Sequence, residues 1–326
     1  MGRRKRRGSD ISGWVVLDKP VGMTSTQAVG KVRWLFGAAK AGHAGTLDPL
    51  ASGLLPIALG EATKTVSYVM DGRKIYRFAV RWGAETDTDD AEGEIVATSD
   101  IRPEAAAIGA ILPEFTGTVM QVPPTYSAIK VDGERAYDLA RDGEAVELAA
   151  RPVEIHRLDL VETPDADTTL FEAECGKGTY VRALARDMGR RLGTRGHVVD
   201  LRRILVGPFD ENAMISLSKL EALRHSAPGE ADLATCLRPV ETALDDIPAL
   251  AVSSADAARL RRGQAVLLRG RDAPSFQGTV YATCRGKLIA LGEVDCGELL
   301  PKRVFNLPAD PAGVTVSKET NDVDHA

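Results

Sequence analysis

The 326-residue sequence has few cysteines, few aromatic residues and no long apolar run. Its four cysteines, Cys175, Cys236, Cys284 and Cys296, show no CxxC spacing and are too few to staple a chain of this length. A disulfide scaffold and a thiolate metal site are both disfavoured. No stretch approaches the roughly 18 apolar residues of a membrane span, and the basic start Arg3-Arg4-Lys5-Arg6-Arg7 runs into Gly-Ser-Asp rather than an apolar segment. A cytoplasmic protein is expected. The signatures of nucleotide and metal chemistry are also missing: there is no HExxH, no GxSxG and no GxGxxG after a strand. Gly176-Lys177-Gly178-Thr179 fails as a phosphate loop, with Phe171 where the first glycine should stand and Gly178 where Ser or Thr should follow Lys177. ATP, nicotinamide and metal are disfavoured and no cofactor is expected. Carboxylates, tyrosines and arginines remain to carry the chemistry.

Hydrophobic residues make up 44% and charged residues 27%, as in soluble globular chains. At about 150 residues per domain the length suggests two domains. The net charge of −5 hides a marked asymmetry. Residues 1 to 60 hold nine basic groups against three acidic, 177 to 203 hold eight against two, and 259 to 303 hold nine against four. The balancing acid lies mainly in 85 to 94, in 132 to 159 and after Asn306. Positive stripes on an acidic body fit a nucleic-acid binder, and solvated faces would give the same counts.

The periodicities predict an α+β body. Trp14 to Leu17 reads as a buried strand ending in a turn at 18 to 22. Thr24-Ser25-Thr26-Gln27 offers a capping box for a helix carrying Ala28, Val29, Val32, Leu35 and Phe36, stopped by Gly37. Residues 75 to 83 alternate around Tyr76, Phe78, Val80 and Trp82, and Phe171, Ala173 and Cys175 mark another strand. Arg102-Pro103-Glu104 opens one helix, and a second runs from Val181 to a stop at Gly193. Residues 121 to 150 are a polar insertion, a candidate mobile lid. A short helix is expected near 217 to 224, and from 248 the texture changes to short strands and glycine turns. The tail 308 to 326 has four acids, one lysine and no aromatic, a composition of disorder.

Gly42-His43-Ala44-Gly45-Thr46-Leu47-Asp48-Pro49-Leu50-Ala51-Ser52-Gly53-Leu54-Leu55-Pro56 is the stretch best suited to chemistry. Glycines let backbone approach a ligand, and Pro49 fixes the chain just after a single carboxylate among apolar neighbours. Asp48 there would need a cationic partner if buried, or would be a turn aspartate capping a helix.

That stretch, Lys19-Pro20-Val21-Gly22-Met23-Thr24-Ser25, Tyr76-Arg77-Phe78, Asp87-Thr88-Asp89-Asp90-Ala91-Glu92-Gly93 and Gly178-Thr179-Tyr180-Val181-Arg182 together resemble the bacterial TruB-type tRNA pseudouridine synthases, in the family's order, over about residues 12 to 307. The resemblance implies a pseudouridine synthase fold with a central mixed β-sheet in a catalytic domain over 12 to 247. It also implies a thumb insertion at 121 to 150 and a small C-terminal β-rich PUA-like RNA-binding domain over 248 to 307. A basic disordered tail at 1 to 11 and the acidic tail at 308 to 326 flank them. The implied reaction is isomerisation of uridine 55 in the TΨC loop of tRNA, without cofactor, metal or guide RNA, by a monomer needing no obligatory protein partner.

The resemblance also assigns roles. Asp48 matches the catalytic aspartate and Arg182 the arginine that pairs with it, though a phosphate-facing arginine would look alike in sequence. Tyr76 matches the tyrosine that stacks on the target base and handles a proton; a core tyrosine would share its phase. Tyr180 and Leu201 match residues lining the uracil pocket, reached by a base turned out of its stack. His43 matches the residue that fills the vacated space in the RNA loop. Lys64, Lys130, Arg202 and Arg203 are expected to contact phosphates. Two other readings share these features: a guide-RNA-dependent synthase subunit, and an RNA chaperone that binds and refolds tRNA.

Overall fold

The computed structural model describes residues 9–127, 129–131, 134–135, 148–225, 233–268 and 277–307, with backbone alone at 130, 131, 134 and 135. The basic tail up to residue 8, half of the expected thumb and the acidic tail lie outside the described residues. The chain divides into two units, Met1–Ile247 and Pro248–Ala326.

Fourteen strands are described in the first unit: β1 (Gly13–Lys19), β2 (Ala41–His43), β3 (Ser52–Leu59), β4 (Lys74–Trp82), β5 (Ala84–Thr86), β6 (Ile95–Thr98), β7 (Gly117–Gln121), β8 (Lys130–Val131), β9 (Glu134–Arg135), β10 (Arg151–Asp165), β11 (Thr168–Cys175), β12 (Gly196–Val206), β13 (Phe209–Asp210) and β14 (Ile215–Ser216). Ten of them form one mixed sheet in the order β14-β1-β3-β12-β4-β11-β10-β7, with β2 beside β3 and β13 beside β12. The pairs β1/β14 and β3/β12 are parallel and the others antiparallel. Helices α1 (Ser25–Leu35), α2 (Val66–Asp71), α3 (Ala105–Ile111), α4 (Val181–Arg191) and α5 (Leu217–His225) are described in the same unit, with four short 3-10 turns.

The local signals hold where they are strongest. Thr24 caps α1 through a complete capping box with Gln27, and Gly37 takes φ +60° just beyond its end. Helix α4 buries Val181, Leu184, Ala185 and Met188 and stops before Gly193 at φ +73°. In β4 the phase of Phe78, Val80 and Trp82 is the buried one. Phe78 stacks on Phe171 at 5.3 Å, Trp82 meets Phe171 edge-on at 6.3 Å, and the Trp82 indole N–H donates to Thr169 at 2.9 Å. These aromatics fix β4 against β11, and with it the position of Tyr76.

The second unit holds a five-stranded sheet, β15 (Ala249–Ala251), β16 (Val266–Leu267), β17 (Gly278–Cys284), β18 (Lys287–Asp295) and β19 (Glu298–Val304), in the order β15-β17-β18-β19-β16. It also holds α6 (Ser254–Arg261), which the short-strand texture did not announce. Ser253 caps this helix by accepting from the Asp256 N–H at 3.1 Å, and Ala257 and Leu260 join the core of the sheet.

Candidate active site

The Asp48 loop is held by its neighbours on every side. Ser25, the first residue of α1, accepts from the Leu47 N–H at 2.8 Å and donates to the Leu47 carbonyl at 2.9 Å. The Pro49 carbonyl accepts from the Gly22 N–H at 2.8 Å, and the Lys19 ammonium reaches it at 3.5 Å while also donating to Pro20 and Met23 at 2.9 and 2.7 Å. Lys19 is fully buried, and desolvation lowers its ammonium to about 8 against the pull of Asp48. The segment 19 to 25 thus grips the residues on either side of Asp48, and its carboxylate, 34% exposed, faces outward between them.

Arg182, only 4% exposed, meets that carboxylate with Nε 2.8 Å from Oδ2. The Nε–H is not aligned on the oxygen, so the contact is ionic rather than a directed hydrogen bond. The rest of the guanidinium is well anchored. It donates to the carbonyls of Thr88 at 2.8 Å and Tyr126 at 3.0 Å, and lies 3.5 Å from buried Asp90. Asp90 is itself fixed by the Thr88 hydroxyl at 2.6 Å and the Glu92 N–H at 3.0 Å. Next to it Asp89, at φ +60°, pairs with Arg186 at 2.8 Å, and burial pushes its carboxyl up to about 6. The acidic stretch 85 to 94 is thus the receiving surface for helix α4, a role its charge alone did not reveal.

Tyr180 sits at the N-terminal end of α4. Gln121, the last residue of β7, brackets it by accepting from its N–H at 2.8 Å and donating to its carbonyl at 3.1 Å. Arg151 pairs with Gln121 across β7/β10, lies 5.3 Å from the Tyr180 ring centroid and donates to Gly178 at 3.0 Å. Gln121, which opens the expected 121 to 150 insertion, and Arg151, just past its end, therefore both contact Tyr180. Leu201 on β12 is buried opposite Phe78 of β4, and half-buried Tyr76 lies opposite Arg203. Burial raises the Tyr76 hydroxyl above the ordinary phenol value, with Arg203 pulling the other way. His43 on β2 has a buried Nδ1 with no partner among the described residues, and desolvation lowers its imidazole, so it is neutral near pH 7. Among the described residues no three His, Cys, Asp or Glu side chains converge as metal ligands.

The expected phosphate contacts fare unevenly. Arg203 cannot serve as one: it is 1% exposed and spends its donors on the backbone carbonyls of Gly45, Thr46 and Leu54. Lys64 is bound to Glu61 at 2.6 Å and Arg202 forks onto Asp18 at 2.9 and 3.2 Å, so a phosphate would have to compete with those acids. The side chain of Lys130 lies outside the described residues. The other six basic residues of the 177 to 203 stripe also meet acids: Lys177 with Asp71, Arg182 with Asp48, Arg186 with Asp89, Arg190 and Arg195 with Glu85, and Arg191 with Glu114. Apart from Arg203, every basic residue of that stripe has an acidic partner, so it is not a free basic face.

Arg203 also explains two glycines of the 42 to 56 motif. A side chain at Gly45 (φ +97°) would meet the guanidinium at 3.4 Å, and one at Gly53 (φ +95°) would lie 2.3 Å from the Arg203 carbonyl. Gly53→Ala should therefore cost about 3 kcal/mol or more, read as a lower urea midpoint for the first unit.

Sequence models of the TruB family match most of the chain. The N-terminal domain of TruB family pseudouridylate synthases matches residues 33–181, the tRNA pseudouridylate synthase B C-terminal domain 182–245, and the pseudouridine synthase II TruB C-terminal segment 248–305. The chain belongs to the TruB family. Its TruB relatives include the tRNA pseudouridine synthase B of Bradyrhizobium diazoefficiens, 69% identical over 98% of this chain and 91% of that protein. That of Agrobacterium fabrum is 60% identical over 93% of this chain and 97% of that protein. Among solved structures, an H/ACA RNP bound to a substrate RNA containing 2'-deoxyuridine superposes with a TM-score of 0.70 at 23% identity, covering 94% of this chain and 92% of that one. The fold is accordingly the pseudouridine synthase fold, with a mixed central sheet and a C-terminal β domain. The boundary between the first two family segments falls at the start of α4, so Asp48 and Arg182 come from different segments and meet in one site.

Proposed function

We infer that this chain is a tRNA pseudouridine synthase that isomerises uridine 55 in the TΨC loop without a guide RNA. The observation that carries the reading is the outward carboxylate of Asp48, clamped on both sides and paired with buried Arg182, in a chain of the TruB family. In the reaction the C1′–N1 bond breaks, the uracil turns, a C1′–C5 bond forms, and C5 gives up a proton while N1 gains one. The change is redox-neutral and consumes no phosphate bond. We assign Asp48 as the carboxylate acting at the glycosidic bond and Arg182 as the cation that orients it. Tyr76 stacks on the base, Tyr180 and Leu201 wall the uracil, and His43 takes the place left in the RNA loop. Lys64, Lys130 and Arg202 are assigned as phosphate contacts, Lys64 and Arg202 by exchanging Glu61 and Asp18 for the phosphate. No helix among the described residues is long and apolar enough to cross a membrane, and we place the reaction in the cytoplasm, by a monomer needing no protein partner.

The test is tritium release from a tRNA transcript carrying C5-tritiated uridine, incubated with purified protein alone, with carbodiimide mapping of the product. Release at uridine 55 supports the reading. Release only after addition of a guide RNA would favour the guide-dependent alternative, and tRNA refolding without release would favour a chaperone.

We assign RNA gripping to residues 248 to 307. In contrast to the 177 to 203 stripe, Arg259, Arg261 and Arg285 have no acidic partner among the described residues. Truncation from residue 248 should weaken tRNA binding and flatten its salt dependence, because fewer phosphates are neutralised. Most of the single-turnover rate at saturation should survive. Affinity at two salt concentrations checks the first expectation, and an unchanged slope would remove the RNA-binding role.

A further inference from the structure

Arg203 combines features that a packing residue does not need. Its guanidinium is buried at 1% exposure, and no acidic side chain lies within ion-pair distance of it among the described residues. Nε donates to Leu54 at 2.8 Å and Nη2 to Gly45 at 3.0 Å, with Nη1 3.4 Å from the Thr46 carbonyl. These carbonyls lie before and after Asp48 in the chain. The same guanidinium carbon stands 6.0 Å from the Tyr76 ring centroid. In the sheet Arg203 is the rung shared by Gly53 of β3 and Tyr76 of β4.

Burying a guanidinium against neutral carbonyls is expensive, and an apolar side chain of similar length would fill the space without that cost. The charge therefore has a use beyond filling. Its effect on surrounding groups is broad: it opposes protonation of Lys19, His43 and Lys74, and it favours ionisation of Tyr76.

We propose that Arg203 is a positioning residue for the isomerisation, tying both arms of the Asp48 loop to β12 and holding a fixed positive charge behind the Tyr76 ring. The proposal rests on the isomerase reading above. Uracil gathers negative charge as the C1′–N1 bond breaks, and a base stacked on Tyr76 would do so in front of a preorganised cation in a water-poor setting. The forked guanidinium fixes geometry at the same time, which an ammonium does only in part.

The experiment compares wild type, Arg203→Lys and Arg203→Met by single-turnover tritium release at saturating enzyme, by tRNA affinity, and by circular dichroism for the fold. Arg203→Met should slow the chemical step about a hundredfold with affinity within about threefold of wild type. Arg203→Lys should recover about tenfold of that loss, since it restores the charge without the fork. Four results would overturn the proposal: a rate within twofold of wild type in Arg203→Met, a loss confined to affinity, equal rates in the two variants, or failure of both to fold. The last would leave Arg203 purely structural. An inactive wild-type protein would instead overturn the isomerase reading, so the two failures are distinguishable.

Discussion

Asp48→Asn should abolish isomerisation, with a loss of at least about ten-thousandfold in the single-turnover rate, while tRNA affinity stays within about tenfold of wild type. The amide keeps the size of the side chain and removes its nucleophilic oxygen. The loop should keep its shape, because its constraints run through Ser25, Gly22 and Lys19 to the backbone of Leu47 and Pro49 rather than through the Asp48 side chain. Losing the ion pair to Arg182 should cost little stability, about 1 kcal/mol or less, because the carboxylate is one-third exposed. Tritium release and filter binding on the same preparation separate the two effects. Product formed at near wild-type rate would remove Asp48 from the chemistry.

The parts of this site that were legible in the sequence are those whose signals are local. The capping box at Thr24 to Gln27 sets the start of α1, and that start places Ser25 against Leu47. The alternation in β4 put Phe78 and Trp82 in the core and Tyr76 in the same phase. The glycines of the 42 to 56 stretch read as positions where backbone approaches a ligand, whereas Gly45 and Gly53, both at positive φ, meet Arg203 of another strand. Which segment they meet was not legible, because Arg203 lies 150 residues beyond Gly53 and reads, beside Arg202, as one more member of a basic run.

Charge counting agrees with a family that acts on tRNA, yet it does not say which basic residues are already paired, for the same reason. A window of sequence adds up its own charges and cannot see a partner from another strand. Arg190 meets Glu85 across 105 positions and Arg202 meets Asp18 across 184. What reads as a stripe of phosphate contacts is largely the cationic half of an internal ion-pair set. Its acidic half is the stretch 85 to 94 together with Asp18, Asp48, Asp71, Glu114 and Asp187. Helix α6 carries a weak sequence signal. Of its eight residues only Leu260 is an apolar side chain larger than alanine, and the cap at Ser253 has an aspartate at the third helical position rather than Glu or Gln.

Arg182→Met should be damaging in two separable ways. Arg182 is the point where four segments meet: the Asp48 loop, the 86 to 93 turn, the start of the insertion at Tyr126, and α4 itself. Removing its charge leaves Asp90, which is almost fully buried, without its cation, and breaking a buried pair from one side costs about 3–5 kcal/mol. The urea midpoint of the first unit should fall accordingly. The rate should fall about a thousandfold, because Asp48 loses the partner that orients it. Arg182→Lys should recover most of the stability and little of the rate, since a single ammonium cannot hold Asp48 and reach the carbonyls of Thr88 and Tyr126 together. Affinity for tRNA should be nearly unchanged in both variants, because a side chain 4% exposed and already committed to two carbonyls and two carboxylates is not available to a phosphate. A loss confined to affinity, with a wild-type rate at saturation, would make Arg182 a phosphate contact after all and leave Asp48 to work without it.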